Sequence, residues 1–346
     1  MDDTANASLY LRLPEQGSEC QNLTTFGSDF FGWPDRNCDI QADVFQLTCY
    51  IETCGRPKTR ETISAFLGED PSDIIITDSA SQSLAIMFAF AQMHDLECWI
   101  PRPWFPAYRT LPQIFGCKFS TYDPFNEEEA FDLFNAMSPQ TPRLIIVNTP
   151  SNPLGVSIPA SVADAARMSS AASPSHIVWD LSYYWAQEPS DKRREGGIRI
   201  YSLGKALGLP GMRLGAVACA DQNLKQEFEA IKRQVALHSC PLSESAACRI
   251  IEDFDVPALQ STWRKKLSKR TSEYLSSLSC FSLGSPVGPF LVERSELVSR
   301  ANAMGVSGEP FGLTAAETRI CLAAPERDWS RFLINANALE FKNENQ

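Results

Sequence analysis

Between residues 73 and 220 the chain alternates short apolar runs with longer mixed stretches. The runs are Ile74-Ile75-Ile76, Cys98-Trp99-Ile100, Leu144-Ile145-Ile146-Val147, Ile177-Val178-Trp179, Ile198-Arg199-Ile200-Tyr201 and Ala216-Val217-Ala218. Such short continuous runs predict strands buried on both faces. After Thr77, the residues Leu84, Ile86, Met87 and Phe90 fall at helical spacing and predict a helix over 80–93, with Pro101 and Pro103 punctuating the chain beyond the next strand. Strand and helix in turn predict an α/β fold, a mainly parallel sheet sandwiched by helices. Beyond Pro241 the texture changes to long helical segments, followed by expected strands at 281–292 and 319–323. The expected organisation is therefore a large ligand-binding domain over 46–240, a smaller α+β domain over 241–346, and an N-terminal segment, 1–45, packing with the smaller domain.

Nearly every apolar run is followed at once by a polar or Pro/Gly-rich cluster: Thr77-Asp78-Ser79, residues 148–152, residues 180–183 and residues 202–205. Ligands of open α/β sheets sit at the carboxyl ends of the strands, so these clusters are expected to converge on one crevice.

Composition narrows the classes. With 44% hydrophobic and 21% charged residues in 346, the chain reads as a folded globular enzyme. A net charge of −11 argues against a nucleic-acid partner, and the short basic runs Lys192-Arg193-Arg194 and 264–270 read as solvated helix faces. No apolar stretch reaches bilayer length and the first residues, MDDTANASLY, lack the apolar core of a leader, so no membrane association and a cytoplasmic location are expected. Eleven cysteines without a CxxC pair suit neither a disulfide framework nor zinc. His94, His176 and His238 are not spaced for a metal, and none is expected.

The segment Ser202-Leu203-Gly204-Lys205-Ala206-Leu207-Gly208-Leu209-Pro210-Gly211-Met212-Arg213-Leu214-Gly215 sets a lysine just beyond an expected strand, among glycines, with an arginine eight residues on. Glycines admit a ligand close to the backbone. A partly desolvated lysine beside a cation is a competent amine nucleophile for a carbonyl, and an arginine with a serine makes a phosphate clamp. A P-loop is excluded by Arg199 and Ala206, and a Rossmann fingerprint by the spacing of Gly204, Gly208 and Gly211. Ser202 to Lys205 also fits the SxxK of penicillin-binding enzymes, but their SDN and KTG elements do not occur. Taken alone, the segment is explained equally well as a Gly-rich surface turn with an exposed lysine.

The other clusters shift that balance, because from about residue 50 to residue 319 the sequence resembles the fold type I enzymes dependent on pyridoxal 5′-phosphate (PLP), of the class I/II aminotransferase kind. The resemblance implies that Lys205 carries the cofactor as an imine, with Ser202 and Arg213 on its phosphate. The run Asn148-Thr149-Pro150-Ser151-Asn152-Pro153-Leu154-Gly155 resembles the family's NPxxNPxG loop, which implies a bond from Asn152 to the cofactor's phenolic oxygen. Asp180-Leu181-Ser182-Tyr183 resembles DxxY, which implies Asp180 on the pyridine nitrogen and Tyr183 near the phenolic oxygen. Ala80 and Ser81, at the start of a helix, would hold the phosphate through backbone N–H groups, Ser79 replacing the usual glycine. Phe105, rather than Trp104, is implied to stack on the pyridine ring. Tyr50, with Gly55 and Arg60 at family-like intervals, is implied to reach a neighbouring subunit's phosphate, hence a homodimer with shared active sites. Arg319, in Glu317-Thr318-Arg319-Ile320-Cys321-Leu322, is implied to clamp the substrate α-carboxylate. Asp29, in the aromatic stretch 26–33, is a candidate selector of a basic side chain.

An amino-acid aminotransferase with a 2-oxo acid as second substrate is the expected activity. A PLP-dependent lyase or cyclase acting on an amino-acid side chain is the alternative.

Overall fold

A computed structural model describes residues 20–33, 47–136, 142–172, 175–187, 196–277 and 286–343. In chain order its first elements are β1 (Gln21–Asn22), α1 (Ser28–Phe31), α2 (Pro57–Leu67), β2 (Ile74–Thr77), α3 (Ala80–Met93), β3 (Glu97–Pro101) and α4 (Pro106–Phe115). There follow β4 (Phe119–Tyr122), α5 (Glu127–Asn135), β5 (Arg143–Asn148), α6 (Ala160–Ala172), β6 (His176–Asp180), β7 (Ile198–Tyr201), α7 (Leu203–Ala206) and β8 (Gly215–Ala218). Beyond these come α8 (Gln222–Ala236), α9 (Pro241–Asp253), α10 (Val256–Ser277), β9 (Phe290–Arg294) and α11 (Ser295–Arg300). The last are β10 (Ala303–Met304), β11 (Val306–Ser307), β12 (Glu317–Cys321) and α12 (Glu326–Asn343).

A seven-stranded sheet has the order β2-β8-β7-β6-β5-β3-β4, and its pairings are parallel except that β8 runs antiparallel to both neighbours. Period-two alternation explains why its strands are apolar throughout. Leu144 and Ile146 pack into one core with α3 and α8, while Ile145 and Val147 pack into another on the opposite face. The edge strand β4, Phe-Ser-Thr-Tyr, is too polar and short to stand out in the sequence, and it pairs only with β3.

The second sheet, β11-β12-β9, is antiparallel. Its core takes in Leu23, Phe30 and Phe31 from near the N-terminus with Trp263, Phe290, Ile320 and Trp329. The segment from β1 onward is stitched there by backbone bonds, Cys321 N to Leu23 O and Gly27 N to Ala323 O, both 2.8 Å. The expected strand over 281–292 begins only at Phe290, because Pro286 and Pro289 lack the N–H a ladder needs. Residues 281–285 lie outside the described residues.

The basic run on α10 is a partial correction. Lys265 and Lys269 are exposed, but Arg270 is buried and donates to the carbonyls of Leu322 and Ala324 at 2.6 and 2.8 Å while pairing with Glu326. A buried guanidinium is tolerable only with such partners. Lys192-Arg193-Arg194 lies outside the described residues. No helix among the described residues is long and apolar enough to cross a membrane.

Candidate active site

Because β2, β5, β6 and β7 all point the same way, their carboxyl ends deliver Asp78-Ser79, residues 148–152, Asp180 and Ser202 to one edge of the sheet. There a cavity of about 290 Å³, counting its open mouth, is lined by Ala80, Ser81, Phe105, Asn152, Asp180, Tyr183 and Lys205, together with Leu84, Tyr108, Asn148 and Ser182.

Lys205 rides on the single turn of α7, held by N–H bonds from Lys205 and Ala206 to the Ser202 carbonyl. Its Nζ donates to the Tyr183 hydroxyl at 2.8 Å. Asp180 is 3% exposed, and each of its carboxylate oxygens accepts one hydrogen bond, Oδ1 from Ser182 N at 2.9 Å and Oδ2 from the Tyr108 hydroxyl at 2.6 Å, which leaves lone pairs free toward the cavity. Burial, reinforced by the Asp180 charge, holds the Tyr108 phenol well above its ordinary pKa, so it stays a neutral donor. Tyr108 had no role in the sequence reading. Its spacing of three from Phe105, the residue that caps α4, with their rings 5.7 Å apart, is the signal that was available.

The phosphate-type cradle forms where β2 runs into α3. Ser79 caps the helix, its Oγ accepting from Gln82 N at 3.2 Å, and leaves the first amides, at Ala80 and Ser81, without intrahelical acceptors. Ser79 has φ 177°, an extended backbone that needs no glycine. The glycine this turn does need is Gly215 across the strand pair, where a Cβ would lie 2.6 Å from Ser79 C and 2.8 Å from Ala80 N.

Asn152 is fixed by its own N–H donating to Asn148 Oδ1 at 2.8 Å, and its Oδ1 accepts from Arg319 Nη1 at 3.0 Å. Arg319 is 6% exposed, with Cζ 4.3 Å from the Phe290 ring and 4.8 Å from the Phe311 ring, and its Nη2 donates to Thr24 O at 3.2 Å. Among the described residues its buried Nε has no hydrogen-bond partner, and burial lowers the guanidinium pKa below its ordinary value. A buried cation with a spare donor is prepared for an anion.

Five expected residues are not brought into the cavity lining. Tyr50 is 86% exposed with its ring 5.8 Å from that of His238. Ser202 is buried at the base of α7, and Arg213 is exposed, with Nη1 3.4 Å from Pro210 O. Arg319 reaches the site only through Asn152. Asp29 is also elsewhere: it is exposed, and its Oδ2 accepts from Glu326 N at 2.9 Å at the start of α12, so it serves as a helix-end acceptor. Trp104 turns from the cavity to the 308–312 turn.

The family described as "Aminotransferase class I and II" matches residues 43–329. Over 219 residues the chain is 27% identical to 1-aminocyclopropane-1-carboxylate synthase 1 of Oryza sativa subsp. indica, covering 52% of this chain and 45% of that one. Over 240 residues it is 27% identical to a probable aspartate aminotransferase of Methanocaldococcus jannaschii, covering 64% and 62%. The chain thus spans about half the length of the first of these relatives and under two thirds of the second. Among solved structures, an aspartate aminotransferase from Thermotoga maritima superposes with a TM-score of 0.76 at 16% identity, over 98% of this chain and 95% of that one.

Proposed function

The chain belongs to the class I and II aminotransferases, PLP-dependent enzymes with an aspartate-aminotransferase-like fold, and from that premise we propose that it transfers the amino group of an amino acid to a 2-oxo acid, with Lys205 as its central group. The observation that carries this reading is the placing of the Lys205 amine, 2.8 Å from a phenol, in one cavity with a buried aspartate and a helix N-terminus. That donor set fits PLP: an amine for its aldehyde, a carboxylate for its ring nitrogen, and free amides for its phosphate. When bound, PLP supplies an electron-withdrawing ring that stabilises negative charge at a substrate's α-carbon.

Lys205 would hold the cofactor and, once released, move a proton at the α-carbon through Nζ, with Tyr183 accepting a hydrogen bond from it. Asp180 would keep the ring nitrogen protonated, and Tyr108 and Ser182 fix the orientation of its carboxylate. Ala80 and Ser81 would bind the phosphate, Phe105 would cover the ring, and Asn152 would orient the phenolic oxygen. Arg319 would take the α-carboxylate in the plane left open between Phe290 and Phe311. Ser202, Arg213 and Tyr50 are proposed on the phosphate side, Tyr50 from a second copy in a homodimer, which its exposure supports.

The similarity to a 1-aminocyclopropane-1-carboxylate synthase favours a second reading, in which the enzyme eliminates or cyclises a side chain. One experiment decides between them: holoenzyme is incubated with a panel of amino acids and no oxo acid. Stoichiometric aminated cofactor supports transamination, whereas ammonia or a cyclised product refutes it. A protein that neither yellows with PLP nor is labelled at Lys205 by borohydride would refute both.

A further inference from the structure

Trp104 and Phe105 are neighbours in sequence with different destinations. Phe105 lines the cavity. Trp104 grips the turn 308–312 of the smaller sheet: its N–H donates to Phe311 O at 3.0 Å and its Nε1–H to Pro310 O at 3.1 Å. The fit is close. Gly312 has φ +77°, and a Cβ there would meet two indole carbons at 2.6 Å. The gripped turn leads directly out of β11, whose Val306 pairs with Arg319, and it presents the buried Phe311 ring 4.8 Å from the Arg319 guanidinium. A continuous path of contacts therefore runs from the ring that faces the cavity, through one peptide bond, to a wall of the slot that holds Arg319.

We propose that Trp104 is a positioning residue for substrate capture: by holding the 308–312 turn it sets the Phe311 wall of the Arg319 slot at a fixed distance from the Phe105 face of the cofactor cavity. The proposal rests on the reading of Arg319 as the carboxylate clamp. Trp104 touches neither substrate nor cofactor. Its effect is on where the clamp stands, so its loss weakens capture of the amino acid while leaving cofactor binding and the limiting rate in place.

The test uses the holoenzyme of wild type, Trp104→Leu, Trp104→Phe and Arg319→Ala with the amino acid that reacts fastest in the panel above. Expected is a half-saturating concentration raised about tenfold in Trp104→Leu and about threefold in Trp104→Phe, which keeps an aromatic ring at this position but loses the Nε1 bond and the outer indole carbons that face Gly312. PLP affinity and limiting rate should stay within about twofold in both. Independently of activity, hydrogen exchange of the cofactor-free protein should quicken at the Phe311, Gly312 and Leu313 amides, which close this turn, in the same order of variants. If Arg319→Ala raises half-saturation while Trp104→Leu changes neither half-saturation nor exchange, the proposal is overturned and the clamp reading stands. A Trp104→Leu protein that loses PLP affinity and limiting rate as much as capture overturns it too, because that is general loosening. If Arg319→Ala leaves half-saturation unchanged, the clamp reading fails and takes the proposal with it.

Discussion

Lys232 on α8 offers a pH-resolved test of how the rim of the site is fastened. Its side chain is fully buried, and its Nζ donates to Thr53 O and to Ser239 Oγ, the latter at 3.1 Å. Ser239 Oγ in turn donates to Ile76 O at 3.1 Å, so one ammonium ties the segment after Tyr50, the end of β2 and the loop before α9. Burial lowers its pKa from 10.5 to about 8, against the opposing pull of Asp78, Glu244, Cys54 and Glu229. Between those values the unfolded chain binds more protons than the folded one, so this group's contribution to stability rises with pH from about 8 to 10.5 and is lost as pH falls through 8. At roughly 1.4 kcal/mol per pKa unit the full swing is about 3 kcal/mol. Lys232→Met removes that swing and also leaves Thr53 O without its donor, which costs about 1–3 kcal/mol at every pH. The two effects oppose each other at pH 7, and between pH 8 and 10.5 wild type should gain about 3 kcal/mol on the variant. Urea unfolding of both cofactor-free proteins across this range reads the difference directly. Parallel stability curves would refute the reasoning.

Tyr108→Phe should strip Asp180 Oδ2 of its donor, costing about 2 kcal/mol and lowering the melting temperature of the cofactor-free protein by roughly 3 °C. An unchanged calorimetric trace would mean the phenol contributes nothing. Arg319→Ala should raise half-saturation for amino acids at least about tenfold with PLP affinity within about twofold; equal losses in a titration of each would contradict its role. Gly215→Ala should push back Ser79 and Ala80 and weaken PLP binding about tenfold or more by fluorescence titration, and retained affinity would show that the start of α3 does not carry the phosphate.

What could be read from the chain was whatever is encoded by short-range pattern. The runs at 144–147 and 177–179 are buried on both faces and announce parallel strands, and because such strands share a direction, the polar residues behind them had to meet. That Asp180, Asn152 and Lys205 lie at one edge was legible for that reason, while the part each plays was implied only by the resemblance of their motifs. Tyr108 was not, since its partner Asp180 lies 72 residues away and nothing local distinguishes a tyrosine that donates to a carboxylate from one that fills a core. The same holds for Lys232, which reads as one more polar residue of a charged helix until the fold buries it. Ser79 stands where the resemblance implies a glycine, yet its backbone is extended and the steric demand falls on Gly215, on a different strand.

The loop after β5 explains how a site divided between two sheets keeps one geometry. Asn152 lines the cavity and accepts from Arg319 at 3.0 Å, so the same residue faces both the cavity that Lys205 lines and the Arg319 guanidinium. Three residues on, Gly155 O accepts from Val287 N and Gly288 N at 2.9 and 2.7 Å, which anchors the chain entering β9 and hence Phe290 beside Arg319. The approach is so close that a Cβ on Gly155, already at φ +69°, would fall 1.9 Å from Phe290 O. Backbone can neither compress there nor be replaced by a flexible side chain. The glycine that ends the asparagine-proline run is therefore required less by the turn it closes than by the strand it touches. Through that contact, the loop that holds Asn152 against the cavity also fixes the ring against which Arg319 is packed.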